Sequence, residues 1–407
     1  MPRRPSPAPV WALLCLMTAL VGGFGAAVPA GAQQGPPLPP GAPFPAKSWI
    51  LVDADTGKVL DAFNEHEALP PASTQKIMTA LVATEKLPPE TSFKVGPVAA
   101  AQAAMRIGMV AGQQWTLDPA LHSLMMVSAN DAAYALAEAA SGNLEAFAAD
   151  MNATAARYGM VDSRFADPAG FDGAEGYGGG SRISAHDLAI AARNFLAVPQ
   201  LTAIVGLREY RFDGPDGQPH VLFNHNKLLA RYPGSTGLKT GYTSLAGSTF
   251  VGTATRDGRT MIAVVMNTTN IYGIASALLD KGFATPADAP GLGEPLPPVR
   301  VQPFRAAQAA TLVPGKVVAE QHPVRSGAVS RLLMALLFVT GSTGGAVVAL
   351  RRRAERRRRA RAERRRRLAE LRRAAYLAAL TDDHWDVEMA IPVQGQFEEL
   401  TPLSTAE

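Results

Sequence analysis

The sequence predicts an α/β domain of the α+β kind. An antiparallel sheet is built from both ends of the domain and flanked by helices, with a helical subdomain between. Three observations lead there. Strand-like apolar runs lie near both ends, at 49–52 and 59–60 and again at 249–255 and 260–266. Between them helical periodicity takes over, across 117–127, 132–140 and 144–158. A last helical stretch, 271–283, follows the final strand directly.

Each element has a local reason. Trp49-Ile50-Leu51-Val52 and Val59-Leu60 flank Asp55-Thr56-Gly57, which reads as strand, tight turn and strand. Pro70-Pro71-Ala72 opens a helix with Ser73 in its first turn, and Ile77, Leu81 and Val82 give that helix an apolar side. Ser128-Ala129-Asn130 separates two helices, and the helix over 144–158 stops at Gly159. Residues 162–180 hold six Gly and one Pro and read as a loop; the glycines of 176–180 lack the Lys-Ser/Thr ending of a phosphate cradle. Ser184 caps a helix running through 188–195. Arg256-Asp257-Gly258-Arg259 is a hairpin turn, and Lys239-Thr240-Gly241 falls on a neighbouring strand of the same sheet.

Length and charge bound the rest. A chain of 407 residues allows two or three folding units. The formal charge of +4 is partitioned: residues 351–373 carry 14 Arg against three Glu, residues 374–407 carry seven acids and no Lys or Arg, and residues 1–350 are neutral. The basicity therefore belongs to a tail and says nothing about the main domain's ligand. Arg3 and Arg4, the apolar stretch 10–21 and Ala30-Gly31-Ala32 before Gln33 read as an export signal; a first membrane anchor is the alternative. Cys15, the only cysteine, lies in that segment, so disulfide and thiol chemistry are excluded from the processed chain. Residues 332–350 carry no charge over a length of about 28 Å as a helix, enough to span a bilayer's hydrocarbon. The Arg run that follows places the tail on the cytoplasmic side and the main domain outside. The expected organisation is a signal peptide (1–32), a flexible leader (33–47), a catalytic domain (48–284), a Pro-rich tether (285–327), a transmembrane helix (328–350) and a cytoplasmic tail (351–407). An anionic inner leaflet is the nearer partner for the Arg tail; no nucleic acid is implied.

Three short motifs carry chemistry. A serine hydroxyl needs a base within reach to act as a nucleophile. Ser73 and Lys76 lie three apart on one helix face, and burial or a second cation would keep Lys76 neutral enough to serve. Lys239 is a candidate for that cation. A first-turn position also leaves the Ser73 N–H directed at an incoming oxyanion. Ser128 can relay a proton, and Asn130 can hold a substrate carbonyl and orient Lys76. Lys239 and Thr240 offer a charge and a hydroxyl to a terminal carboxylate, Gly241 permits close backbone approach, and the Tyr242 N–H is a second oxyanion donor. Taken singly, each motif also reads blandly: a cap with a solvated Lys, a pair of helix caps, a turn with an exposed Lys. In this order they amount to the equipment for acyl transfer through a covalent acyl-enzyme, with no cofactor. The seven His show no pair at metal-ligand spacing, so no metal site is expected.

Ser73-x-x-Lys76, Ser128-x-Asn130 and Lys239-Thr240-Gly241 resemble the three motifs of serine penicillin-recognising enzymes. The resemblance is strongest to the low-molecular-mass D-alanyl-D-alanine carboxypeptidases and runs from about residue 48 to 283. Pro71-Ala72-Ser73-Thr74-Gln75-Lys76-Ile77-Met78-Thr79, Ser128-Ala129-Asn130-Asp131-Ala132, Gly170-Phe171-Asp172, Ser184-Ala185-His186-Asp187-Leu188-Ala189 and Gly237-Leu238-Lys239-Thr240-Gly241-Tyr242-Thr243 all match that pattern, and Asp167 and Asp172 of the 162–180 loop are either structural or cleft-lining. The resemblance implies a serine β-lactamase/transpeptidase-like fold. It also implies acylation of Ser73, Lys76 as base, Ser128 and Asn130 as clamp, and Lys239, Thr240 and Thr243 around the carboxylate. The implied partners are the peptidoglycan stem peptide as substrate and β-lactams as inhibitors; the single span at 328–350, which would place the chain in a bacterial cell membrane, departs from the family in being a true span rather than an amphipathic helix. Asn224-His225-Asn226 stands where some members have an Arg for the carboxylate, so His225 is the candidate there, acting weakly or when protonated. Tyr242 replaces a His of some members, and no β-rich second domain is evident after 283. Two rivals stay open at this point: a β-lactamase on the same fold, though 162–180 lacks the E-x-x-L-N pattern of its deacylating base, and a non-catalytic β-lactam or peptidoglycan receptor.

Overall fold

The computed structural model describes residues 43–302 except 104 and 174–179. The signal, the transmembrane stretch, the tail and most of the 176–180 glycine run lie outside the described residues. Among the described residues no single helix is long and apolar enough to cross a membrane.

The chain begins with a hairpin, β1 (Ala46–Asp53) and β2 (Val59–Phe63). The Asp53 carboxylate accepts from the Thr56 N–H at 3.0 Å and closes its turn. A 3-10 turn, Ala72–Gln75, leads into α1 (Lys76–Lys86). Two short strands, β3 (Ser92–Lys94) and β4 (Gln114–Thr116), pair around the small helix α2 (Pro97–Ala100). Then come α3 (Leu117–Met126), α4 (Asn130–Ser141), α5 (Leu144–Tyr158), α6 (Ala185–Leu196) and α7 (Pro199–Gly206). A second hairpin, β5 (Glu209–Asp213) with β6 (Pro219–Phe223), precedes the short α8 (Leu228–Arg231). The chain returns through β7 (Ser235–Thr243), β8 (Gly247–Arg256) and β9 (Arg259–Thr268), then α9 (Ile271–Ala284).

The main sheet has the order β2-β1-β9-β8-β7, every neighbouring pair antiparallel. The first strands thus sit beside the last, as the sequence predicts. Period-two alternation gives the sheet two apolar faces. Ile50, Val52, Val251, Ile262 and Val264 face the helical block, while Trp49, Leu51, Phe250, Met261, Ala263 and Val265 pack under α9. Trp49 also stacks on its cross-strand partner Phe63 at 4.5 Å between ring centres. The β8–β9 turn has Asp257 at φ 50° and Gly258 at φ 78°. Both values are positive, as the primed turn that matches strand twist demands, and Asp-Gly supplies them at least strain.

Two departures from the sequence reading have clear causes. The β3–β4 ribbon, the β5–β6 hairpin, α2, α7 and α8 have three to eight residues each, too short for a periodic signal. The Pro-rich segment after α9 is no free tether over 285–302 but a strap on the domain. Leu296 is buried, and the Leu292 and Leu296 N–H groups donate to Val59 O and Gly57 O at 2.7 and 2.9 Å. Arg193 on α6 donates to Leu296 O, Pro297 O and Ala54 O, so a buried guanidinium needs this strap to satisfy its protons. Asn194 Oδ1 accepts the Arg300 and Val301 N–H groups at 2.7 and 2.9 Å. At the other end the sheet starts two residues before the expected boundary, with Phe44 edge-on to Trp49.

Candidate active site

Ser73 lies in the 3-10 turn, one residue after Ala72, a buried non-glycine at φ 48°. That left-handed residue is held from both sides. Pro71 O accepts from Thr74 N at 3.3 Å, Thr74 Oγ1 at 2.6 Å and Thr249 Oγ1 of β8 at 2.9 Å. The turn is thereby bolted to the sheet, and it presents Ser73 next to the first residue of α1.

Lys76 is fully buried. Its Nζ donates to Ser73 Oγ at 2.9 Å, Asn130 Oδ1 at 2.8 Å and Ala169 O at 3.1 Å, one acceptor for each proton of the ammonium. Burial pulls its pKa down to about 7, while the negative charges of Asp167 and Asp131 work in the opposite direction. Near neutrality Lys76 therefore exchanges between an ammonium and an amine whose lone pair lies at hydrogen-bond distance from the serine oxygen.

The loop between α3 and α4 brings in the second motif. Ser128 adopts φ 60° and is buried, and Ala129 rather than a polar residue takes the cap position of α4. Asn130 is thus free of capping and spends its side chain on Lys76 and, through Nδ2, on Ala103 O at 3.3 Å. The Ser128 hydroxyl makes no hydrogen bond among the described residues, so it is available to a ligand.

The third motif lies on β7, an edge strand. Lys239 is buried and its Nζ donates to Thr240 O at 2.7 Å. Its pKa is pushed well below the usual lysine range by burial and by the charge on Lys76. The Lys76 shift comes from burial and is opposed by Asp167 and Asp131, so Lys239 is not the second cation that the sequence reading called for. Gly241 touches the nucleophile turn directly. A β-carbon there would lie 2.9 Å from Ser73 N, 3.0 Å from Thr74 N and 2.5 Å from Thr249 Oγ1. The glycine thus admits the enzyme's own backbone as well as a ligand. Tyr242, next along the strand, is well exposed.

Two expected carboxylate contacts take other work. The Thr243 hydroxyl donates its one proton to Asp172 Oδ1, and Asp172 also holds the Leu245 N–H at 3.0 Å. His225 stands near Lys239, but burial and that neighbouring charge push its pKa down to about 4, so the ring is neutral where the sequence reading invoked its protonated form. Its backbone is fixed between α3 and α9: the His225 N–H donates to Met126 O at 2.9 Å, and His225 O accepts from Tyr272 Oη at 3.3 Å.

Two carboxylates stand behind Lys76: Asp167, which the sequence left open between a structural and a cleft-lining residue, and Asp131, to which it gave no role. Asp131 accepts from the Ile107, Gly108 and Met109 N–H groups at 3.2, 2.9 and 2.9 Å, pinning the loop whose Met105 O receives the Asn130 N–H at 2.6 Å. Asp167 accepts from the Ala169 and Gly170 N–H groups, both at 2.7 Å, and so aims Ala169 O at Lys76. Burial raises both pKa values against those hydrogen bonds. A signal for Asp131 was visible in its place directly after Asn130, and Asp167 turns out both to shape its loop and to face Lys76. The cleft as a whole holds two amines, hydroxyls and amides, a set that donates to anions rather than ligating a cation.

The D-alanyl-D-alanine carboxypeptidase family model, of the S11 peptidases, matches residues 36–270. The chain belongs to this family. It is 36% identical over 260 residues to the D-alanyl-D-alanine carboxypeptidase DacB2 of Mycobacterium tuberculosis, covering 61% of this chain and 84% of that one. It is 34% identical to DacF of Bacillus subtilis, over 54% of this chain and 57% of that relative. The chain thus spans little more than half of the Bacillus protein. Among solved structures, a D-alanyl-D-alanine carboxypeptidase of M. tuberculosis superposes with a TM-score of 0.57 at 34% identity, over 64% of this chain and 98% of that one. The Streptomyces K15 DD-transpeptidase gives 0.55 at 25% identity, over 62% and 100%. Within the carboxypeptidase family the sheet, the helical block and the penicillin-binding type of fold are shared.

The contact at Gly241 is testable. Gly241→Ala forces β7 away from the nucleophile turn, and a displacement near 1 Å costs roughly a hundredfold in rate. We expect D-alanine release per folded molecule to fall by about that factor, with the circular-dichroism spectrum retained. Unchanged turnover would show that β7 and the turn move independently.

Proposed function

We propose that this chain is a serine-type D-alanyl-D-alanine carboxypeptidase that removes the terminal D-Ala from peptidoglycan stem peptides through an acyl-enzyme on Ser73, and that β-lactams acylate the same serine. The observation that carries the reading is the Lys76 amine at 2.9 Å from Ser73 Oγ, buried enough to be neutral near pH 7.

Neutral Lys76 takes the Ser73 proton as the oxygen attacks the carbonyl of the penultimate D-Ala. The Ser73 and Tyr242 N–H groups receive the developing oxyanion. The amide bond breaks, and the proton held by Lys76 passes through the Ser128 hydroxyl to the departing amine of D-Ala. Asn130 keeps Lys76 in line and offers its amide to the peptide. Lys239 and Thr240 take the terminal carboxylate, whose negative charge restores the Lys239 ammonium that burial disfavours. Water then hydrolyses the ester, with Lys76 again as base.

The same proposal includes a location. The export signal at 1–32, the uncharged stretch 332–350 and the 14 Arg after it support a chain anchored once in a bacterial cytoplasmic membrane. The catalytic domain would then lie outside and the tail inside.

Three outcomes test this reading. Ser73→Ala is expected to abolish covalent labelling by radiolabelled penicillin and to cut D-Ala release from a pentapeptide by roughly a thousandfold or more; label retained on that variant would overturn it. Acylation by penicillin should climb about tenfold between about pH 6 and about pH 8, since only the neutral amine accepts the proton and its fraction grows as pH passes the Lys76 pKa. A flat profile in stopped-flow labelling would remove Lys76 as base. In intact spheroplasts, external protease should degrade the catalytic domain and spare an epitope placed in residues 374–407; the reverse pattern would overturn the orientation.

A further inference from the structure

Outside the cleft, the fold gathers three metal-ligating side chains that lie far apart in sequence. His66 follows β2, Asp162 follows α5 and His186 is in the first turn of α6. One ligand atom from each lies within 4.8 Å of the other two. The His66 Nδ1 is 2.7 Å from Asp162 Oδ2, and the two imidazole rings are 4.5 Å apart between centres. We propose that His66, Asp162 and His186 form a site for one borderline-soft divalent metal ion, zinc(II) or a first-row ion of similar preference, on the segments that lead to the catalytic cleft.

The donor set sets the class of ion. Two imidazoles and one carboxylate suit zinc, nickel or copper, whereas magnesium and calcium require mostly oxygen ligands. Three protein ligands leave a fourth position for water, which fits the outward side of the cluster, where His66 is exposed. The inner side is already organised as metal sites require. Asp187, fully buried, lies 3.1 Å from His186 Nδ1 through Oδ1, and its other oxygen accepts the Asp162 N–H at 2.8 Å and the Ser163 hydroxyl at 2.7 Å. A carboxylate behind a histidine fixes the tautomer and leaves the far ring nitrogen as the ligand. Ser184 Oγ adds a hydrogen bond of 3.2 Å to the same Asp162 oxygen that faces His66.

The frame is rigid as well. Leu69 and Ile183 exchange both backbone hydrogen bonds, at 3.1 and 2.9 Å, and the His186 N–H donates to Glu65 O at 2.9 Å. His66 and His186 are therefore carried on two segments already paired by backbone, the condition for holding ligands in place. Tetrahedral zinc needs its ligand atoms about 3.3 Å apart, so pairs now up to 4.8 Å apart must close by as much as roughly 1.5 Å while the 2.7 Å His66–Asp162 pair opens by roughly 0.6 Å, adjustments that the exposed His66 side chain permits. Bound metal would join three segments at one point. One reaches Ser73 seven residues after His66, one reaches Asp167 five residues after Asp162, and the third is α6. The ion would act as a staple behind the nucleophile turn and take no part in the acyl transfer.

The test uses the full-length chain stripped with EDTA and titrated with zinc(II). Native mass spectrometry and calorimetry should show one ion per chain with a dissociation constant in the micromolar range or below, and the thermal midpoint should rise by several degrees. Cobalt(II) should give the visible absorption of a tetrahedral site. His66→Ala and Asp162→Asn should each weaken zinc binding at least about tenfold and erase the cobalt spectrum. His66 is exposed, so His66→Ala should still be labelled by penicillin at the wild-type rate when metal-free, which shows that its fold is intact. No saturable zinc binding would overturn the proposal. So would binding that His66→Ala leaves unchanged, or magnesium binding as tightly as zinc.

Discussion

The structure is arranged around one buried amine. Lys76 Nζ has three acceptors, and each comes from a different part of the chain: Ser73 from the turn before α1, Asn130 from the start of α4, Ala169 from the loop after α5. A buried ammonium without acceptors costs several kcal/mol, so any rearrangement that withdraws one of them is resisted by the whole network. Position is thereby coupled to chemistry. The contacts that fix Lys76 are the contacts that place a nucleophile, a clamp and a loop around a single point.

The pKa of that amine is a balance. Burial alone would favour the neutral form strongly, leaving a base too weak to take a proton from an alcohol. Asp131 and Asp167 oppose it, and together the opposing effects leave Lys76 near 7. Both carboxylates also hold backbone loops through several N–H groups. The same side chains therefore shape the cleft wall and tune the base. Lys239 lies close enough for the charge on Lys76, with burial, to lower its own pKa. Two amines and the neutral ring of His225 make a region short of negative charge, which a ligand's carboxylate completes.

Most of this was legible where the chemistry is local. The Ser73–Lys76 pair follows from helical spacing, the Asp257-Gly258 turn from its two residues, and the joining of first and last strands from their alternation and order. Tertiary facts were not legible. Thr243 carries a hydroxyl like Thr240, and only the fold sets Asp172 beside it, 71 residues away. His225 was visible as a candidate, but its protonation state is decided by burial and by Lys239. The 285–302 strap looked like a tether because proline and patchy hydrophobicity resemble a linker. What holds it is Arg193, more than a hundred residues upstream, whose need for carbonyl acceptors no local window shows. His66, Asp162 and His186 escaped for the same reason, since spacing rules detect ligands on one element and not across three.

The cleft's location follows from the layers. Lys76 comes from α1, Asn130 from the helical block and Lys239 from β7, so these side chains meet at the seam between sheet and helices. Packing of apolar faces brings the layers together but leaves them free to slide, because the hydrophobic effect has no direction. Directional contacts across the seam remove that freedom. Thr249 of β8 bonds to Pro71 O at the nucleophile turn, and Arg193 of α6 bonds to Ala54 O at the end of β1. One lies beside the chemistry, and the other ties the end of β1 to the helical block. Two ties at separate points fix a rotation as well as a distance, and that degree of restraint is what a proton transfer over 2.9 Å requires of elements so far apart in sequence.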